Sequence, residues 1–517
     1  MAIVKFSVTI FILFSINYIN YVGSSSFFRG HLLKYDIPPP KVAVSRADVT
    51  TNYFSQRLDH FDPSNTNVWS QRYYVNSQYF NATENEAIFL MIGGEAQASI
   101  GWMTGGAWIT SAEKYGALLI QLEHRFYGVS HPFEDLSTEN LRFLSSRQAL
   151  EDTATFITAM NQEYNLTNSA KWILFGGSYA GSLVAWLRQK YPHLVQGAMS
   201  SSAPLFAQLD FPEYFQVVAD DLASHSRECV DAVKTAYVRL EDLVDNPGEE
   251  NVTALFNLCD DILEVNTELD ISNFFQSTVN VFAYVAQYNK NSALTTTIDD
   301  LCDILVNDAY GDELDRLIEV NRLYYGTACV DYKYQTTLDY LNDVTITTSG
   351  MMRQWIYQTC TEYGWYQTSS QEEQVFGTKF PIESYTKMCE DVYGIEFNAS
   401  YISEQIVKTN THFGGYDIDV RNVVSVHGSF DPWYPMGIVE TTNPESPVIF
   451  IEGTSHCMNM YANSANDPQE LIEAREKVDR LIGVWLGVES SGVSSYLTSS
   501  IINALLLTIS SLFISKL

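Results

Sequence analysis

The segment Trp172–Gly181, WILFGGSYAG, constrains the fold more than any other stretch of the chain. Trp172–Phe175 are apolar and read as a buried strand, and Leu183–Lys190 reads as a helix. Between them Ser178 is surrounded by Gly176, Gly177, Ala180 and Gly181. A strand that turns this sharply into a helix strains its backbone, pushes one hydroxyl outward and tolerates only very small neighbours. The context is that of a nucleophile elbow. The strict G-x-S-x-G pattern has Gly where this chain has Ala180, which is still small enough. A Gly-rich turn with a solvated serine is the bland alternative.

An elbow requires a base and an orienting acid, in the order Ser, then Asp or Glu, then His. After Ser178 the histidines are His193, His225, His412, His427 and His456. His456 lies in GTSHC, directly after the apolar run Val448–Ile451, where a base at the carboxyl end of a last strand belongs. Upstream, Val423–Trp433 reads VVSVHGSFDPW, a strand followed by a turn that carries Asp431. Pro432 stops further strand pairing. Asp431 is therefore expected to orient His456, and His456 to take the proton from Ser178. His427, on the strand itself, reads as a packed histidine. The oxyanion donors are expected to be the N–H of Tyr179 and that of Gly94, in the loop after Ile88–Ile92. Glu95 in that loop is unusual, because a carboxylate there opposes catalysis unless it meets a cation. Glu123, His124 and Arg125, after the run Ala117–Leu122, read as a structural polar network. The chemistry uses protein groups alone, so no cofactor and no metal is expected.

The chain has 517 residues, too many for one small module, and 46% of them are hydrophobic. Apolar strand-like runs (Ile88–Ile92, Ala117–Leu122, Trp172–Phe175, Gly197–Met199) alternate with helical patterns, as in a parallel α/β sheet. From about residue 211 to 410 the pattern becomes long and amphipathic, with Leu222–Leu243 and Leu314–Tyr325 as helices. Strand-like runs then return at Val423–Val426 and Val448–Ile451, and a final helix is expected over Pro468–Leu486. The organisation is a signal peptide at 1–23, a core in two parts at 50–210 and 411–489, a helical insertion at 211–410 and a tail at 490–517. The insertion must fold over the carboxyl ends of the strands, because the chain leaves and re-enters the sheet there.

Cys229, Cys259, Cys302, Cys329, Cys360 and Cys389 all fall in the insertion, and Cys457 stands apart beside His456. No pair has C-x-x-C spacing, which argues against a zinc or thioredoxin-like site. In an oxidising lumen the six can form three disulfides, whose connectivity spacing alone leaves open. Cys457 reads as a buried free thiol rather than a nucleophile. Lys5, the apolar run Phe6–Ile19 and small residues from Gly23 form a secretory signal. Sequons at Asn81, Asn165, Asn251 and Asn398 agree with passage through that pathway. Ser490, Ser491 and Gly492, a polar spacer and the apolar run Ile501–Ile514 match a glycolipid-anchor signal. Lys and Arg total 30 against 62 Asp and Glu, a net charge of −32 that excludes nucleic-acid partners.

GGSYAG around Ser178, DPW at Asp431–Trp433, SHCMNM around His456, EHRFYG at Glu123–Gly128 and QRLDHFDP at Gln56–Pro63 resemble the lysosomal Pro-Xaa carboxypeptidase family of serine peptidases. The resemblance runs from about Gln56 to Leu486. It implies an α/β-hydrolase core with a large helical, disulfide-containing cap inserted between the nucleophile and the Asp/His pair. It further implies exopeptidase action near proline, usually at acidic pH, with Ser178, Asp431 and His456 as the triad. Trp433 becomes a wall for a proline pocket, or simple packing. The resemblance also favours the pairs Cys229–Cys302, Cys259–Cys329 and Cys360–Cys389. An acidic residue that dipeptidyl peptidases of the family use for a free amine is Ile356 here, although Glu362 or Glu95 could supply that charge. The expected activity is that of a serine-type exopeptidase on peptide substrates. Lipid-anchored membrane attachment and a homodimer are further expectations. A lipase or esterase on the same fold, or a catalytically inactive interaction protein, are the alternatives.

Overall fold

The computed structural model describes residues 37–41, 49–81, 86–167, 169–248, 250–263, 266–291, 294–347, 351–370 and 372–489. The segments expected to be a signal peptide, 1–23, and a tail, 490–517, lie outside the described residues. Among the described residues, no helix is long and apolar enough to cross a membrane.

The strands are β1 (Val49–Arg57), β2 (Val68–Asn76), β3 (Ala87–Ile92), β4 (Leu118–Leu122), β5 (Lys171–Gly177), β6 (Gly197–Ser201), β7 (Gln208–Asp210), β8 (Gly364–Tyr366), β9 (Val423–Gly428) and β10 (Val448–Ile451). Eight of them form one sheet in the order β1-β2-β4-β3-β5-β6-β9-β10. From β4 to β10 all neighbours are parallel. β1 and β2, which precede the run of strands read as parallel, add an antiparallel edge. β1, VTTNYFSQR, carries polar residues because it is an exposed edge, whereas the polar Gln71, Arg72 and Asn76 of β2, VWSQRYYVN, are buried and bonded to Glu123 and Met103. The central strands are apolar on both faces. In β3, Ile88, Leu90 and Ile92 pack into one core, while Ala87, Phe89 and Met91 pack into the other. This is the period-two alternation of a strand buried on both sides. This arrangement of sheet and flanking helices is an α/β-hydrolase fold.

Between β7 and β9 the chain is mainly helical, and β7 pairs with β8 as a small separate sheet. The single helix expected over Leu222–Leu243 is two, Glu213–His225 and Arg227–Asp245. Ser226 breaks it: its backbone is extended (φ −164°, ψ 152°) and its hydroxyl accepts the N–H of Cys229, capping the second helix. Disulfides join Cys229–Cys302, Cys259–Cys329 and Cys360–Cys389, and Cys457 is free and buried. Cross-links over sequence separations of 73, 70 and 29 residues restrict the unfolded chain, each stabilising by about 2–4 kcal/mol. Disulfides of this kind persist in an oxidising compartment.

Two buried polar networks fix loops to the sheet. Arg125 pairs with Asp152 through Nε and Nη2, both at 2.6 Å, and His60 Nε2 lies 2.8 Å from the same carboxylate. Glu123 accepts the N–H groups of Ala98 (3.0 Å) and Val129 (3.1 Å), the Ser130 hydroxyl and the Arg72 guanidinium. Gly128 is required beside it, since a Cβ there would meet Glu123 Oε1 at 1.9 Å. The second network lies where the insertion meets the core. Glu362 accepts the Ser146 N–H at 2.9 and 3.1 Å, the Tyr363 hydroxyl at 3.0 Å and Gln358 Nε2 at 3.2 Å. Burial still prevails over these bonds and raises its pKa from an ordinary 4.5 to about 6.

The folded protein therefore holds the Glu362 proton more tightly than the unfolded chain does. Its contribution to stability is complete below about pH 4.5 and is lost as pH rises through 6, a change of about 2 kcal/mol. Wild type should accordingly gain stability over Glu362→Gln as pH falls from 7 to 5, read from urea midpoints. A gap between the two that does not change with pH would refute this.

Candidate active site

Ser178 sits at φ 57°, ψ −133°, between β5 and the helix Tyr179–Lys190. A side chain in that backbone region is strained, so the surroundings must enforce it. They do so by close packing. A Cβ on Gly176 would lie 2.2 Å from the Ala180 carbonyl oxygen, and one on Gly177 would lie 2.4 Å from Met460 Sδ and 2.9 Å from Cys457 Sγ. Cys457 thus packs beneath the elbow. Tyr179 is the first residue of the helix, where backbone N–H groups have no intrahelical acceptor and the positive end of the dipole lies. Gly94 packs on the same turn: a Cβ there would come 3.3 Å from Ala180 N. The two expected donors are therefore neighbours. Glu95 is half-buried next to Gly94, and its charge acts on the buried Tyr127 hydroxyl.

His456 and Asp431 are fully buried and joined by a 2.7 Å bond from Nδ1 to Oδ1. Burial works against a charged imidazole, but the Asp431 carboxylate outweighs it, and the His456 pKa lies well above the usual histidine value. His456 Nε2 is buried with no hydrogen-bond partner among the described residues. Asp431 also accepts the Trp433 N–H at 3.1 Å, which closes the turn. The exit of β6 ties the three segments together. Ser201 O accepts the Ser178 N–H (2.9 Å), Ser202 Oγ accepts the Cys457 N–H (2.8 Å), and Ser202 N–H donates to Val426 O on β9 (2.7 Å). Sequence reasoning missed Ser201 and Ser202, which carry no signal beyond ending a strand.

Gln287, at the end of the helix Glu268–Gln287, was also missed. Its carbonyl accepts the His456 N–H at 3.0 Å. Its Oε1 accepts the Trp433 indole N–H (3.1 Å) and the Tyr214 hydroxyl (2.9 Å). Asn289 O accepts the Ser455 hydroxyl at 2.8 Å. The insertion thus grips the loops of both His456 and Asp431. Asp221 is a further buried carboxyl, raised to about 9 by burial and then by the Asp431 charge, so it is neutral there. His427 is buried and its pKa falls to about 4, a neutral packed histidine. Trp433 is buried, its ring against Phe211, Tyr214 and Trp365. Glu362 is committed to the network described above. Asn165 and Asn251 are exposed, while Asn81 and Asn398 are half-buried. No group of residues able to hold a metal occurs among the described residues.

Gln287→Leu removes the Oε1 that accepts both the Trp433 indole N–H and the Tyr214 hydroxyl. It should lower stability by about 1–3 kcal/mol, measured by urea unfolding. An unchanged midpoint would show that the insertion is held to the catalytic loops by other contacts.

Comparison with known proteins bears on what this site does. The family model for serine carboxypeptidase S28 matches residues 56–478. A Caenorhabditis elegans relative with a serine-protease name is 34% identical over 471 residues, covering 87% of this chain and 91% of its own. The human thymus-specific serine protease is 32% identical, covering 84% and 86%, and the human lysosomal Pro-X carboxypeptidase is 26% identical, covering 87% and 90%. With the hydrolase sheet beneath it, this chain is a serine peptidase and belongs to the serine carboxypeptidase S28 family.

Proposed function

We propose that the protein is an exopeptidase that cleaves peptides at or near proline through a Ser178–His456–Asp431 triad. The observation that carries this reading is the buried 2.7 Å pair of His456 and Asp431, with His456 Nε2 left unpartnered, on a loop stapled to the strained Ser178 turn. Ser178 Oγ attacks the scissile carbonyl carbon while His456 Nε2 takes its proton. Asp431 holds Nδ1–H and stabilises the imidazolium that forms. The N–H groups of Tyr179 and Gly94 receive the developing oxyanion. His456 then gives its proton to the leaving amine, and water hydrolyses the acyl-enzyme by the same route reversed. The Trp433 indole forms a flat wall for a pyrrolidine ring. The helical cap, 211–410, covers the carboxyl ends of the strands and admits chain ends rather than the middle of a folded substrate. The protein passes through the secretory pathway with glycans at its sequons, and a lipid anchor added near Ser490 holds it at a membrane.

Ser178→Ala should abolish labelling by a fluorophosphonate and lower kcat by several orders of magnitude with little change in stability. Labelling that persists in this variant would sink the mechanism.

The pH dependence has a fixed sign. A base must be neutral to accept a proton, so the labelling rate falls as pH drops through the raised His456 pKa. Asp431→Asn removes the charge that raises it. The inflection should then move to lower pH while the limiting rate falls, on the order of 10⁴-fold. An inflection that stays in place would remove Asp431 from its role.

A further inference from the structure

This inference rests on the peptidase reading and names what the cap selects. A cavity in the cap is bounded by Trp433, Trp355 and Trp365. Trp433 donates its backbone N–H to Asp431, and Trp355 packs on Tyr179, the residue after Ser178, with ring centroids 5.7 Å apart. Through these two contacts the cavity lies one residue away from Asp431 and from Tyr179. Another wall is the helix Glu268–Gln287, which contributes Asn273, Gln276 and Asn280. These stand at i, i+3 and i+7, along one face.

All three amides are buried. Their amide groups give this wall a polar, uncharged character between the indoles. Asn273 Nδ2 donates to Thr337 Oγ1 at 3.2 Å, and Gln276 Nε2 to Ser272 Oγ at 3.1 Å. The chain has a net charge of −32, yet none of the described side chains that line this cavity is charged.

We infer that this cavity is a substrate subsite for an uncharged side chain with a hydrogen-bonding end, glutamine above all, and that it rejects carboxylates and ammonium groups. The Trp355 and Trp365 indoles take the flat amide and its aliphatic stem. The wall amides offer both donors and acceptors, which glutamine can match in either sense. An ionised side chain sheds its water on entry and meets no opposite charge.

The test is a set of otherwise identical peptides that carry Gln, Glu or Lys at successive positions around the cleaved bond, assayed at pH 7 by mass spectrometry. At one position Gln should exceed both Glu and Lys in kcat/KM on the order of 10-fold or more. In Asn280→Asp, and separately in Gln276→Glu, Lys at that position should gain on Gln, because the new carboxylate meets the ammonium. Fluorophosphonate labelling of Ser178 identifies which variants remain folded. If Gln, Glu and Lys are cleaved within about twofold of one another at every position, the subsite is overturned while the peptidase reading stands. A preference that both folded variants leave unmoved also overturns it. If wild type cleaves none of the peptides, both readings fall together.

Discussion

The Ser178 turn, held at φ 57°, ψ −133°, is the constraint on which the rest of the structure depends. Such a backbone persists only when its surroundings over-determine it. Here those surroundings come from the whole chain. Gly176 abuts the first turn of the following helix, Gly177 abuts Met460 and Cys457 from the last loop, and the Ser178 N–H is bonded to the end of β6. The small residues around Ser178 are therefore positions where a Cβ has no space, and the helix entry leaves its first N–H groups open to a developing negative charge.

The insertion between β7 and β9 is more than a cover. The last turn of the helix Glu268–Gln287 receives the His456 backbone and the Trp433 indole, and Asn289 holds Ser455. A displacement of that helix would move His456 and the Asp431 loop together. On the opposite flank, Tyr179 reaches Gln358 (2.9 Å), His124 (3.1 Å) and Ser146 (3.3 Å), which connects the elbow to the Glu362 network. The elbow and the insertion thus share one hydrogen-bonded frame. The carboxylates that give the chain its negative charge are mostly solvated or paired, whereas Asp221 and Glu362 are buried with raised pKa values.

Much of this was legible in the residues. The apolar runs of β3, β4, β5, β9 and β10 announce strands, since strands covered on both faces cannot hide their hydrophobicity. The elbow and the loop positions of Asp431 and His456 follow from local chemistry of the same kind. β1 was not legible, because an exposed edge strand has a polar, irregular pattern, and β2 was not, because its Gln71, Arg72 and Asn76 are buried polar residues whose partners lie on other segments. The break at Ser226 was hidden by apolar residues that continue on either side of it. Ile356, singled out for its departure from an acidic residue, lines the same uncharged cavity as Asn273 and Gln276.

The sequence by itself determined the apolar central strands, the strained turn and the residue types able to move a proton, because each depends on neighbours a few positions away. Tertiary structure alone decided which of these meet. Ser201 and Ser202 staple three distant segments, Gln287 ties the cap to the base, and three amides on one helix face adjoin a tryptophan from another part of the chain. The reason is physical: a hydrogen bond or a buried wall between remote segments leaves no periodicity or composition in either of them. It exists only once burial has brought them together and removed the water that would otherwise satisfy each group alone.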